Sequence, residues 1–128
     1  MTTVEVPYSI AAALPSLSVM DITNDVSREV AESGVSAGIA YLHTASTLSL
    51  VRVQERETGF FEDFEQLLER VVPGKLRSRE QLVAFLLGPR SEQIPFVDGT
   101  LSLGQWQRIL LFSLDAQHRP EWTLTLLG

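Results

Sequence analysis

The stretch TGFFEDFEQLLERVVPG, residues 58–74, places the tightest constraint on the fold. It sets Phe60, Phe61, Phe64, Leu67, Leu68 and Val71 at i, i+1, i+4, i+7, i+8 and i+11, the spacing of one helical face. That stripe is expected to be buried, so the chain must supply a second layer for the helix to lie on. Pro73-Gly74 is expected to end the helix. Glu55 and Glu57 precede it, where the positive end of the helix dipole favours carboxylates.

Two other segments read as helices. In MDITNDVSREVAESG, Ile22, Val26 and Val30 recur at four-residue steps, and Gly34 is placed to cap the carboxyl end. In SREQLVAFLLGP, Ser78 and Gln81 have the spacing of a capping box, with Gly88 and Pro89 as the stop. Between and after the helices come β-compatible runs: GIAYLHT, TLSLVRV, IPFVDGTLSL, WQRILLFSLD and PEWTLTLLG. Asp98-Gly99 reads as a hairpin turn, and DAQHRP as a hairpin loop between the last two strands. The order predicts an α+β domain ending in an antiparallel meander rather than alternating βαβ units. In TLSLVRV, Leu48 and Leu50 share one face, then Val51 and Val53 the other. A one-residue flip of this kind predicts a β-bulge.

A chain of 128 residues carries one domain, here residues 1–128, with no repeat or linker to divide it. Apolar residues at 45% and charged residues at 20% are ordinary globular composition. The absence of cysteine excludes disulfides, thiolate nucleophiles and cysteine metal sites. A net charge of −6 opposes nucleic-acid binding, and the basic residues Lys75, Arg77 and Arg79 lie among acids. No apolar run reaches the roughly 18–20 residues of a membrane helix. The amino-terminal apolar stretch lacks a basic leader and is broken by Pro7 and Pro15, which predicts strand and turn rather than a signal peptide. A soluble cytoplasmic protein, with neither membrane nor nucleic acid as partner, is the expectation.

Histidine occurs twice, at His43 and His118. His43 ends an apolar strand run. It suits proton exchange near neutral pH or metal ligation, or simple packing against backbone. Thr44, Ser46 and Thr47 beside it offer hydroxyls for an anion, or for the backbone at a strand end. His118 lies in the polar DAQHRP loop and is expected to be solvated. Trp106 reads as a core or interface aromatic. No phosphate loop, nucleophile elbow or H-E-x-x-H motif occurs. On residue chemistry alone the chain is a soluble α+β domain of unreadable function.

Several longer stretches nevertheless resemble one family. DITNDVSREVAESGVSAGIAYLHTAS is similar to the amino-terminal half of YjbQ-like proteins, the small secondary thiamine-phosphate synthase family, and ETGFFEDFEQLLERVVP to one of their helices. SEQIPFVDGTLSLGQWQRI nearly reproduces a family signature: Ser91, Ile94, Gly99, Gly104, Trp106, Gln107 and Ile109 match, and Phe96 and Gln105 depart. The resemblance implies a two-sheet β-sandwich with peripheral helices, assembled as a homotrimer. It also implies a site of three histidines with acids. His43 matches the first, but the other two positions hold Arg79 and Gln81, which cannot stand in as histidine ligands. Glu55 is the nearest match to the family acid, three residues further from the histidine than usual, and the segment between Val72 and Ser78 is short.

Two functional readings follow from the resemblance. The first is a divergent member without the three-histidine site, acting as a small-molecule or protein binding module; a purely structural trimeric scaffold stands apart as a further reading. The second is a transferase joining a pyrimidine diphosphate to a thiazole phosphate. In it His43 carries the proton, Glu55 is its partner, and Arg79 with Thr44 and Ser46 binds the phosphorylated small molecule. Neither reading invokes a metal or another cofactor.

Overall fold

The computed structural model describes residues 4–5, 18–55, 57–115 and 120–128. The elements in chain order are β1 (Val4–Glu5), β2 (Ser18–Asp21), α1 (Thr23–Glu32), β3 (Ala37–His43), β4 (Ser49–Glu55), α2 (Thr58–Val71), α3 (Arg79–Leu87), β5 (Ser91–Val97), β6 (Thr100–Leu101), β7 (Gln107–Ser113) and β8 (Thr123–Leu127). All strand pairs are antiparallel, in two four-stranded sheets ordered β1-β2-β7-β4 and β6-β5-β3-β8. The expected α+β class and the two-sheet sandwich with outer helices are both present. No helix among the described residues is long and apolar enough to cross a membrane.

The first sheet is buried on both faces. Along β7, Ile109 and Leu111 point to one apolar cluster while Leu110, Phe112 and Leu114 point to another. One cluster fills the space between the sheets, with Ala40, Leu42, Ile94 and Phe96 from the second sheet and Ile22, Val26 and Val30 from α1. The other lies under α2 and α3, with Leu68, Val72, Val83 and Ala84. A strand covered on both sides reads as a continuous apolar run, which is why ILLF shows no alternation.

That geometry corrects the expected bulge. β4 pairs with β7 in unbroken register from Ser49↔Ser113 to Glu55↔Gln107, one residue against one. Leu48 and Leu50 face the helical layer, and Val51 and Val53 face the other sheet. The phase flip therefore records two buried faces rather than an inserted residue.

The expected terminal meander is also corrected. Asp98 and Gly99, with φ of 53° and 71°, do form the predicted tight turn between β5 and β6. However, β7 lies between β2 and β4, whereas β8 pairs with β3 in the other sheet. The connection from β7 to β8 thus crosses the sandwich instead of closing a hairpin. His118 in that connection, and most of the amino-terminal stretch, lie outside the described residues.

The helix faces divide. In α1, Ile22, Val26 and Val30 are fully buried as expected. Among the described side chains of α2, Leu68 is buried and Phe64 partly so, while Phe60, Leu67 and Val71 are 40%, 56% and 54% exposed. The helix meets the sheet along a narrow ridge of four-residue steps, Phe64-Leu68-Val72, while Leu67 and Val71 are turned to solvent. Glu57 caps α2, its carboxylate accepting from the Gly59 N–H at 3.1 Å. The capping box at α3 is not formed. Ser78 occupies the N-cap position, but its side chain makes no capping bond.

The D-I-T segment has a structural task. Asp21, 4% exposed, accepts from the Thr23 N–H and hydroxyl at 3.0 and 2.6 Å, and from Arg108 Nε at 2.7 Å. The Thr23 hydroxyl oxygen in turn accepts from the Ile109 N–H at 2.7 Å. Burial alone would raise the Asp21 pKa. The hydrogen bonds from Arg108 and Thr23, with the Arg108 charge, outweigh it and hold the carboxyl below the usual aspartate value.

Candidate functional site

β3 ends at His43, and the chain then turns through residues 44–48 into β4. The turn is clasped from outside. Arg90 donates from Nε to the Ser46 carbonyl at 3.2 Å and from Nη2 to the Thr47 carbonyl at 3.0 Å. The Thr44 N–H donates to the Arg90 carbonyl at 2.9 Å, and the Leu114 N–H to the Leu48 carbonyl at 2.8 Å. On the opposite side Ser113 bends the chain after β7, its hydroxyl oxygen accepting from the Asp115 N–H at 3.2 Å.

These elements enclose a pocket of about 360 Å³ at one end of the sandwich. It is lined by His43, Ser46, Ser49, Asp115, Glu121 and Thr123, with Thr123 paired directly opposite His43 in the second sheet. His43 is exposed at the rim, with Nδ1 2.8 Å from the Ser91 hydroxyl. That contact tethers the ring and leaves Nε2 available to a ligand. Ser49 is 2% exposed, and its Oγ has no hydrogen-bond partner among the described residues. The buried Thr44 Oγ1, behind the same turn, also has none.

The residues expected to act together are only partly assembled. His43 and Ser46 share the pocket, and Thr44 lies buried beside it. Glu55 sits at the other end of β4, opposite Gln107, with its carboxylate near Gln54 Nε2 at 3.2 Å. Six residues of strand separate it from Ser49, about 20 Å at the usual rise. Arg79 starts α3, is buried, and donates from Nε to the Val72 carbonyl at 3.0 Å, tying the end of α2 to the start of α3. Gln81 is exposed. Among the described residues, no group of three or more His, Asp or Glu side chains converges as a metal site.

Four contributors were not visible in the sequence reading: Ser49, Asp115, Glu121 and Arg90. Ser49 was masked as one more small residue in TLSLVRV, and the others reach the site only through the crossing connection and the strand order. Trp106 is 72% exposed, so it is not a core residue of this chain. The turn before β7 is held by Gln107, whose Oε1 accepts from the Gly104 N–H at 2.8 Å.

Comparison with known proteins agrees with this fold across nearly all of the chain. A family model described as UPF0047 protein YjbQ-like matches residues 13–128. A UPF0047 protein of Methanothermobacter thermautotrophicus is 28% identical over 121 residues, covering 88% of this chain and 84% of that protein. One from Archaeoglobus fulgidus is 33% identical over 108 residues, covering 77% and 82%. Among solved structures, an uncharacterized YjbQ/UPF0047 protein of Clostridium acetobutylicum superposes with a TM-score of 0.77 at 27% identity, covering 99% of this chain and all of that one. A hypothetical protein of Aeropyrum pernix gives 0.76 at 26% identity, covering 99% and 96%. The frame that carries the His43 pocket is thus shared from end to end, and this chain belongs to the YjbQ-like UPF0047 family.

Proposed function

We propose that this protein is a small-molecule binding module whose site is the His43 pocket. The observation that carries the reading is the Ser49 hydroxyl, buried in the wall of this cavity with no hydrogen-bond partner among the described residues. A buried polar group without a partner costs about 1–3 kcal/mol, which the Ser49 hydroxyl recovers by turning out of the wall toward a ligand atom. The described lining sets two carboxylates, Asp115 and Glu121, against one imidazole. Two carboxylates among the described lining favour a neutral or cationic molecule bearing hydroxyl or amine groups, and that is the ligand class proposed.

The transferase alternative asks His43 to work with Glu55 and Arg79, and neither lines this pocket. Self-association remains part of the proposal. The outer face of the second sheet exposes Ile39, Val97 and Leu127, with Ile39 directly opposite Leu127, an apolar surface suited to a trimer of copies.

The test is a fragment screen of hydroxyl- and amine-bearing compounds, read by the His43 ring resonances in NMR. Hits should shift those resonances, and should weaken at least tenfold in both His43→Ala and Ser49→Ala. Hits that leave His43 unmoved, or bind both variants normally, would sink the site. Formation of thiamine phosphate that collapses in His43→Ala would instead establish the transferase reading.

A further inference from the structure

A second cavity, of about 250 Å³, lies on the opposite side of the first sheet, between β4 and α2. Its chemistry differs from that of the His43 pocket. Leu50, Leu87 and Phe112 form the inner wall, and Phe60 and Phe64 the outer one. The two phenylalanine rings stack nearly parallel, at 11° with centroids 6.4 Å apart. Into this apolar space β4 projects Arg52 and Gln54, because residues at i, i+2 and i+4 of a strand share a face with Leu50.

Arg52 is anchored but not used up. Nη1 donates to the Leu87 carbonyl at the end of α3, at 2.9 Å. A positive charge is favourable there, and that contact alone would suffice for a structural role. A guanidinium has five N–H donors, however, and no further hydrogen bond from Arg52 to a described residue is formed. The cleft thus offers a held cation with unspent donors beside aromatic and aliphatic walls. That combination matches a carboxylate on an apolar body, since the planar fork of arginine accepts a carboxylate on two parallel bonds. The volume falls below the roughly 300 Å³ at which pockets for drug-sized ligands begin, which suits a single ring with a short acidic arm.

We infer that the cleft between β4 and α2 is a binding site for a small aromatic or branched carboxylate, with Arg52 as its anion-recognising residue. The site is independent of the His43 pocket and stands or falls separately from it.

The probe is 3-phenylpropionate, compared with its neutral isostere 3-phenylpropanamide by calorimetry on the full chain. Wild type should bind the acid with one site per chain and at least tenfold more tightly than the amide. Arg52→Met should bring the acid down to the affinity of the amide, and His43→Ala should change neither. Equal affinities in wild type, absence of binding by the acid at millimolar concentration, or an acid preference surviving in Arg52→Met would each overturn the inference. Because Arg52→Met also removes the bond to Leu87, the acid-to-amide ratio in wild type is a test that needs no variant.

Discussion

The two sheets of the sandwich are built from the same kinds of residue but are buried differently. The first sheet has helices on one face and the second sheet on the other, so β4 and β7 have almost no solvent side. The second sheet has one core face, and its other face carries Tyr41, His43, Thr123 and Thr125 outward. The difference teaches where function can sit. In the doubly buried sheet, openings arise only where packing is incomplete, as at Arg52. In the singly buried sheet, polar side chains at the strand ends reach the surface, as His43 does.

The comparison is most directly broken by shortening side chains on β7. Leu110→Ala, facing the helices, and Leu111→Ala, facing the other sheet, should each destabilise by about 2–5 kcal/mol in denaturant unfolding. Thr125→Ala, on the outer face of the second sheet, should stay within about 0.5 kcal/mol. A small loss at Leu110 would mean that the helical layer does not bury its face of the first sheet.

Next in size is the tie between β2 and β7. Arg108→Met should lower stability at pH 7 by about 1–3 kcal/mol, toward the smaller figure because Arg108 is partly exposed to solvent. The Asp21 carboxyl is held below its ordinary value, so its contribution is full above about pH 4 and is lost as pH falls through the folded pKa. The gap between wild type and variant should therefore narrow on acidification. A gap that widens below pH 4 would contradict the network.

Ser49→Ala should separate stability from binding. It removes a hydroxyl that no described residue satisfies, so stability should be unchanged or higher by up to about 1 kcal/mol, while affinity for the proposed ligand falls. Destabilisation would indicate that the hydroxyl is paired within the protein. The smallest effect is expected at Ser78→Ala, within about 0.5 kcal/mol, because that hydroxyl caps nothing. A loss of about 1 kcal/mol would restore the capping box.

The helices were legible because their signals are local. Ile22, Val26 and Val30 repeat at one spacing, and Pro73, Gly88 and Gly34 stop the chain where the structure stops it. Strand positions were legible too, but strand partners were not. WQRILLFSLD and PEWTLTLLG are adjacent in sequence and look like a hairpin, yet they lie in different sheets, since periodicity says nothing about which neighbour a strand selects. The flip at Leu50-Val51 is the same blindness in miniature: a bulge and a doubly buried strand write one pattern. The site was half legible. His43 was conspicuous as a histidine in an apolar run, whereas Ser49, Asp115 and Glu121 join it only through tertiary structure.

The connection between β7 and β8 gives the His43 pocket a replaceable wall. It leaves one sheet at Ser113 and enters the other at Thr123, and on the way contributes Asp115 and Glu121 to the pocket, with Thr123 at its far end. Neither sheet depends on its length for strand register. Doubling a flexible loop costs only about 0.6 kcal/mol in closure entropy. Substitutions or insertions there would change the residues beside His43 while the strand register of the sandwich stays as it is.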